Sequence, residues 1–148
     1  MHTLGPHWHV GVIVEDLDRA MLEMSASLGV EWCSPQTRVG DQGEFRLTFS
    51  TTAPYFELIE GIPGSDRDSS AGPHIDHLAY WSNDYSDDKE RLTCAGFALE
   101  LEGSAPFGGE WCYMRGSSSG LRVELCEATS RAGFFRRWNL PLDEEATR

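Results

Sequence analysis

The stretch WHVGVIVEDLDRAMLEMSASLGV, residues 8–30, decides the fold of this chain. It opens with valines at alternate positions, and His9 points to the opposite side of the strand that this alternation predicts. Asp16 and Asp18 then offer helix N-caps, and Gly29 offers a C-terminal stop after apolar residues at helical spacing. The stretch therefore predicts a β-strand followed by an amphipathic helix.

A second stretch, HLAYWSNDYS at residues 77–86, begins the same pattern again. Asp84 follows His77 by seven residues, as Asp16 follows His9. In both copies a glycine marks the end of the helix at nearly the same distance, and three strand-like segments come after it. The chain therefore reads as two successive βαβββ modules of the α+β class.

The predicted modules occupy residues 1–62 and 74–128 of the 148-residue chain. Between them, residues 63–73 are rich in Gly, Pro, Ser and Asp and are interpreted as a linker. Residues 129–148 form a C-terminal tail that we expect to be helical in part. This length suits one compact domain or two small modules packed together.

Composition narrows the class of partner. The formal net charge is −12, from 12 basic and 24 acidic residues, which disfavours nucleic acid because its binding depends on cationic side chains. No apolar run is long enough to span a membrane, and the N-terminus lacks the features of a signal peptide. The four cysteines are scattered, which favours reduced thiols. We therefore expect a cytoplasmic protein that acts on a small molecule.

The two modules also repeat a chemical layout. His9 precedes Glu57 by 48 residues, and His77 precedes Glu124 by 47. Strand alternation places all four residues opposite an apolar face, so they converge if each sheet curls. Buried carboxylates cost several kcal/mol unless they are paired or bound to metal. Two imidazoles and two carboxylates are a suitable ligand set for one divalent cation.

Four segments together resemble the vicinal oxygen chelate superfamily, which includes glyoxalase I and methylmalonyl-CoA epimerase. They are HVGVIVEDLDRA (9–20), FELIE (56–60), HIDHLAY (74–80) and GLRVEL (120–125). The resemblance implies an open eight-stranded half-barrel with helices on the outside, and a homodimer. It also implies His9, Glu57, His77 and Glu124 as the ligands of one Zn, Ni, Co, Mn or Fe ion per site.

The resemblance further implies a reaction. A divalent cation polarises a substrate carbonyl, and Glu124 accepts the proton from the neighbouring carbon, leaving an enolate. This chemistry is that of a glyoxalase-type isomerase, an epimerase or a lyase. The epimerases place a second acid on the strand before the first carboxylate, where this chain offers either Glu44 or Arg46. Glu44 would serve as a second base, whereas Arg46 would hold an anionic group of the substrate.

Strand alternation also predicts the residues around the ligands. The side of the strands that carries the ligands includes apolar and aromatic residues, which favour a hydrophobic or aromatic oxygenated substrate. These pocket candidates are Ile13, Tyr55, Ile59, Trp81, Trp111 and Tyr113, with Ala79 and Cys126 on the same side.

Two other functions stay open on the sequence alone. An extradiol-type dioxygenase would use two histidines and one carboxylate on iron, but a fourth ligand would leave too few open positions. A metal-free drug-binding protein of the same superfamily would have no need of the ligand set. Metal analysis and the dependence of turnover on oxygen separate these functions from an isomerase or lyase.

Overall fold

A computed structural model describes residues 3–142 of the chain. The described residues contain eight strands, three α-helices and one 3-10 turn. In chain order these are β1 (His7–Val14), α1 (Leu17–Leu28), β2 (Gln36–Gly40), β3 (Gly43–Phe49), β4 (Tyr55–Glu60), β5 (His74–Ser82), α2 (Tyr85–Cys94), β6 (Phe97–Ser104), β7 (Glu110–Gly116), β8 (Arg122–Glu127), the 3-10 turn (Ala128–Ser130) and α3 (Arg131–Arg137). The predicted α+β class with two successive βαβββ modules is confirmed.

In the first module the strands follow the order β2-β3-β4-β1, and in the second module the order β5-β8-β7-β6. The chain divides into two compact units, which we name after their histidines. The His9 unit is His9–Asp76, and the His77 unit contains the described residues up to Trp8 and from His77 onward. In each unit the strand that opens the module pairs in parallel with the strand that closes it, β1 with β4 and β5 with β8.

The ends of the two long helices follow from their sequence. The Asp16 carboxylate accepts a hydrogen bond from the backbone of Arg19 at 3.0 Å, and Asp84 accepts one from Asp87 at 3.2 Å. Gly29 ends α1 in the left-handed conformation, with φ of 69°. A glycine adopts this conformation without the steric cost that other residues meet. The predicted cap at Asp16 and stop at Gly29 are confirmed.

Each unit has its own apolar core between the sheet and its helix. In the His9 unit, Val14, Leu17 and Leu58 are buried together. In the His77 unit the buried cluster consists of Tyr85, Leu92, Cys112, Met114, Val123 and Leu125. In both units the helix therefore covers the side of the strands that faces away from the predicted ligands.

The C-terminal segment packs on its own unit through aromatic side chains. The Phe134 and Phe135 rings of α3 each lie 5.1 Å from the ring of Trp8, and the Trp8 ring lies 5.0 Å from that of Trp81. The last six residues of the predicted tail, 143–148, lie outside the described residues. In the described part of the chain, no helix has the length and apolar character needed to cross a membrane.

Candidate metal centre

The His9 unit brings His9 and Glu57 together on adjacent parallel strands. His9 on β1 is aligned with Tyr55 on β4, and Gly11 is aligned with Glu57 two residues further on. Aligned residues on neighbouring strands point to the same side of a sheet, so His9 and Glu57 share one side, which we call the ligand side. Their Nε2 and Oε2 atoms lie 3.2 Å apart.

The His77 unit repeats this arrangement. Ala79 on β5 is aligned with Glu124 on β8, and His77 lies two residues before Ala79 on the same side. The Nε2 atom of His77 lies 3.3 Å from Oε2 of Glu124. Two ligand atoms that each lie about 2.1 Å from one ion, at right angles, are about 3.0 Å apart. Both pairs therefore have a spacing that suits two neighbouring ligands of a metal ion.

The neighbours of the two carboxylates are duplicated as well. One neighbour in each unit is small, Gly11 beside Glu57 and Ala79 beside Glu124, which leaves room for the carboxylate. The neighbour on the other strand is aromatic, Phe49 beside Glu57 and Tyr113 beside Glu124. Each small residue follows its histidine by two positions in the sequence, but only the strand register shows that it lies beside the carboxylate.

The two aromatic neighbours also pack against the histidines. The ring of Phe49 meets the His9 imidazole edge-on at 5.2 Å, and the ring of Tyr113 meets that of His77 at 4.9 Å. Such contacts restrict the rotation of the imidazoles and keep water from their faces. They fix the direction in which each Nε2 atom points, which a metal ligand requires.

His9, Glu57, His77 and Glu124 form a group that could hold a metal ion. All four are buried, with relative exposures of 2%, 8%, 1% and 9%, and each offers one ligand atom. Imidazole nitrogen with carboxylate oxygen suits Zn, Ni, Co, Mn or Fe, so the donor set fits the cofactor that the sequence implies. Buried carboxylates also need a compensating positive charge, which a cation supplies.

Around Glu124, the His77 unit adds a buried cation. The guanidinium of Arg122 lies 4.3 Å from the centroid of the Tyr113 ring, and its Nε lies 2.9 Å from Oε2 of Glu100. A hydrogen bond from Arg115, with the nearby charge of Arg122, holds the pKa of Glu100 below its usual value. Arg122 lies two residues before Glu124 on β8, so its guanidinium, paired with Glu100, shares the ligand side of the His77 unit.

A family model described as "Glyoxalase/Bleomycin resistance protein/Dioxygenase superfamily" matches residues 8–113, more than half of the chain. The chain belongs to this superfamily. The match runs from the residue before His9, through Glu57 and His77, to Tyr113. The predicted membership of the vicinal oxygen chelate superfamily is confirmed.

Solved structures of superfamily proteins have the same fold as this chain. Methylmalonyl-CoA epimerase from Mycobacterium tuberculosis is 19% identical, with a TM-score of 0.65 over 90% of this chain and 97% of the epimerase. A variant of the Streptomyces coelicolor methylmalonyl-CoA epimerase, in complex with 2-nitronate-propionyl-CoA, is 19% identical, with a TM-score of 0.63 over 85% of this chain and 99% of the epimerase.

A third structure is a mutant of 4-hydroxymandelate synthase from Streptomyces coelicolor. It is 18% identical, with a TM-score of 0.63, and the match covers 84% of this chain and 49% of the synthase. Since all three identities are below 25%, these structures show the fold of this superfamily chain and not its reaction. No curated protein sequence matches the chain significantly.

The predicted pocket residues lie on the ligand side of the two units. In the His9 unit, Ile13 is aligned with Ile59, and Tyr55 is aligned with His9. In the His77 unit, Trp81 and Trp111 are both aligned with Cys126, and Tyr113 with Glu124. The Trp81 ring also lies 6.4 Å from that of Phe134 on α3 and 5.0 Å from that of Trp8, so Trp81 has a packing role besides its position on the ligand side.

The structure does not bring the predicted second base to the ligand side. Phe49 on β3 is aligned with Glu57, so alternation turns Glu44 and Arg46 to the opposite side of the sheet. There Arg46 donates hydrogen bonds of 2.9 and 3.1 Å to Asp18, whose pKa it lowers, and lies 3.6 Å from Glu60. Glu44 is exposed. Arg46 therefore ties β3 to the start of α1.

Other side chains of β3 and its neighbours occupy the ligand side instead. On β3 these are Phe45, Leu47 and Phe49, all apolar. On β2, Arg38 is aligned with Phe45, so its side chain shares this side. The position of Arg38 is not evident from the sequence, because a polar strand at the edge of a sheet gives no signal of which side faces a site.

Proposed function

We propose that this protein is a metal-dependent isomerase or lyase that removes a proton from the carbon beside a carbonyl group. The observation that carries the proposal is the duplicated His–Glu pair, with nitrogen-to-oxygen distances of 3.2 and 3.3 Å. All four side chains are buried, and each pair is framed by a small residue and an aromatic residue. The superfamily membership supports the same chemistry.

In this proposal His9, Glu57, His77 and Glu124 hold one divalent cation. When bound, the cation supplies Lewis acidity toward a substrate that chelates through neighbouring oxygens. The imidazoles contribute neutral ligands, and their aromatic partners keep them oriented. The two carboxylates balance the charge of the cation in surroundings that contain little water.

Glu124 is the proposed base. Its carboxylate takes the proton from the carbon beside the carbonyl, and the electron pair of that C–H bond moves into the enolate. The buried Arg122 stacks on the neighbouring Tyr113 with its charge balanced by Glu100, so a guanidinium lies on the side of β8 that carries Glu124. Glu57 is aligned with the apolar Phe49, whereas Glu124 is aligned with Tyr113, which has a hydroxyl group. We therefore assign the role of base to Glu124.

The reaction is proposed to use a single base. The β3 residues on the ligand side, Phe45, Leu47 and Phe49, have no ionisable group. Glu124 would then return the proton at another carbon, as in an isomerase, or the enolate would expel a leaving group, as in a lyase. A two-base epimerase with Glu44 opposite Glu124 is not supported, because Glu44 lies on the other side of the sheet.

The apolar surroundings favour a small hydrophobic or aromatic substrate. Ile13, Ile59 and Leu47 lie on the ligand side of the His9 unit and are 0%, 4% and 8% exposed. Trp111 and Tyr113 of the His77 unit contact each other edge-on at 5.7 Å. The homodimer and the cytoplasmic location that the sequence predicts remain part of the proposal.

The proposal is tested by proton exchange. Protein loaded with each candidate metal is incubated in D2O with a panel of 2-oxo, β-keto and 2-acyl acids, and NMR follows the carbon beside the carbonyl. We expect deuterium to enter one of these substrates, and Glu124→Gln to reduce the rate by at least about 100-fold. Glu127→Gln on the same strand is the matched control and should exchange normally. Exchange that survives in Glu124→Gln would remove Glu124 as the base.

Two further measurements separate the other functions. Elemental analysis of the purified protein tests the metal-free binding protein, which would contain no stoichiometric ion. Turnover compared in air and under nitrogen tests the dioxygenase, since an isomerase or lyase consumes no oxygen. A protein with no bound metal after purification from metal-supplemented medium would contradict the proposed function.

A further inference from the structure

Two arginines of the His9 unit contact the ligand side of its sheet, several residues from Glu57. Arg38 on β2 is aligned with Phe45 on β3, so both side chains are on that side. The guanidinium carbon of Arg67, from the loop after β4, lies 4.2 Å from the centroid of the Phe45 ring. The charge of Arg67 therefore lies over the Phe45 ring, and Arg38 extends from the aligned position of the neighbouring strand.

The loop that carries Arg67 is held in place by hydrogen bonds. The Arg67 carbonyl accepts from the backbone of Ile62 at 2.9 Å, and the Arg67 backbone N–H donates to the Ser65 hydroxyl at 2.9 Å. The loop is also bonded to the turn between β2 and β3, where the side chain of Gln42 accepts a hydrogen bond from the backbone N–H of Asp66 at 2.9 Å. The segment predicted as a linker therefore fixes the position of Arg67 above the hairpin.

The ligand side near Phe45 carries arginines, although the chain as a whole is strongly acidic. The protein has a net charge of −12, yet Glu57 is the sole carboxylate at the ligand-side positions of β1 to β4. Asp66 lies 3.7 Å from Arg67, whose side chain keeps 23% of its exposure. Arg38 contacts Gln36, another polar residue of the ligand side. The Arg38 guanidinium also donates to the backbone carbonyl of Thr37 at 3.2 Å. Guanidinium groups on one side of a sheet suit recognition of an oxyanion.

We infer that Arg38 and Arg67 form a subsite for an anionic group at the far end of the substrate. The inference rests on the proposed function for the other end, where the substrate chelates the cation beside Glu57. Phe49 is aligned with Glu57, and Phe45 lies four residues before it on β3. Gln36 is aligned with Leu47, two residues before Phe49. The two ends of the substrate are therefore roughly 7–13 Å apart. The substrate class is an elongated molecule with chelating oxygens, an apolar middle over Leu47 and Phe45, and a terminal carboxylate or phosphate.

Calorimetric titration of the wild-type protein with added ZnCl2 tests this subsite. Three probes share one chelating end: phenylpyruvate, 4-carboxyphenylpyruvate and 4-phosphonophenylpyruvate. We expect a charged probe to bind at least about ten-fold more tightly than phenylpyruvate, because it gains charge-assisted hydrogen bonds. The charged probe with the larger gain identifies the anion as a carboxylate or a phosphate.

Variants then locate the effect. Arg67→Met keeps an apolar stem on Phe45 but removes the charge, and Arg38→Met does the same on β2. Each should reduce the preference for the charged probe to less than about three-fold and leave phenylpyruvate binding unchanged. Arg19→Met, on the exposed side of α1, is the matched control for net charge and should keep the preference.

The outcome is independent of the reaction. If the charged and uncharged probes bind the wild-type protein equally, or if the preference survives in the Arg38→Met/Arg67→Met double variant, the subsite does not exist. Preference for the charged probe without any deuterium exchange would retain the subsite and remove the proposed reaction. Exchange without preference would retain the reaction and remove the subsite.

Discussion

A buried arginine next to a proposed metal ligand shows how a single residue sets local charge. Arg122 is 6% exposed, stacks on Tyr113 and pairs with Glu100. A buried charge is costly unless a partner compensates it, and Glu100 provides that partner from β6, two strands away from Arg122 on β8. Glu100 therefore contributes to stability only while it is ionised.

This residue gives the expected dependence of stability on pH. The pKa of Glu100 is lower in the folded protein, mainly through the hydrogen bond from Arg115, so its contribution exists above the unfolded pKa and is lost as the pH falls through the folded pKa. Glu100→Gln should destabilise the protein by less than about 1 kcal/mol at pH 7, because Glu100 and its main partner Arg115 are both partly exposed. Thermal unfolding of both proteins between pH 3 and 7 should show curves that begin to approach each other below about pH 4.3 and converge only once the pH falls below the folded pKa of Glu100.

The matched control for this experiment is Glu90→Gln on the exposed surface of α2, which should follow the wild-type curve at every pH. A difference between Glu100→Gln and wild type that stays constant from pH 7 to pH 3 would show that ionisation of Glu100 contributes nothing.

At the scale of the strand, the register determines which side chains can reach a metal ion. In each unit a small residue on one strand is aligned with the carboxylate on the next, Gly11 with Glu57 and Ala79 with Glu124. Ala79 is fully buried, so a larger side chain at this position has no free space. The small residue is therefore part of what positions the carboxylate.

Ala79→Val should displace the Glu124 carboxylate and weaken binding of Zn²⁺ by about 10-fold or more, the range seen when groups that orient a ligand are lost. Val123→Ile enlarges another buried side chain, on the opposite side of β8, and is the matched control. Both variants should lower Tm by a few degrees through overpacking of about 1–3 kcal/mol. Equal Zn²⁺ affinity in the two variants would contradict the role of Ala79.

The same scale shows what alternation in a sequence can and cannot predict. Glu57 and Glu124 interrupt apolar strands that are covered by helices, so their orientation follows from the sequence. Strand β3 alternates just as regularly, but its polar residues Glu44 and Arg46 face the helix side, and its apolar residues face the ligands. Glu44 is exposed at the start of β3, so a polar side chain there does not need to face the ligands. Polar character alone therefore predicts the wrong side of the sheet for Glu44 and Arg46.

For the whole molecule, duplication makes the fold predictable. Two copies of the same order of elements, with nearly the same His-to-Glu interval, are sufficient to identify the superfamily from the sequence alone. The position of Arg67 is not predictable in this way, because its contact with Phe45 joins residues distant in sequence through a loop of low sequence specificity. Contacts of this kind depend on tertiary packing, which alternation and spacing do not encode.

Binding of one cation to four ligands should stabilise the folded molecule. A divalent ion at 100 times its Kd adds about 2.7 kcal/mol, which corresponds to a rise in Tm of roughly 5–10 °C for a chain of this size. Glu57→Gln should lose most of this rise. Arg46→Met, which removes a charge from the other side of the sheet, should keep it. The measurement is differential scanning calorimetry with EDTA and with ZnCl2, and equal Tm values in the wild-type protein would contradict a bound ion.

The partners of the two carboxylates have a stereochemical consequence. Glu57 is aligned with Phe49, whereas Glu124 is aligned with Tyr113 and has a guanidinium nearby. The immediate surroundings of the two carboxylates are therefore chemically unlike, apolar beside Glu57 and charged beside Glu124. In the proposed reaction this asymmetry would let the site act on one enantiomer of a racemic substrate and leave the other in solution.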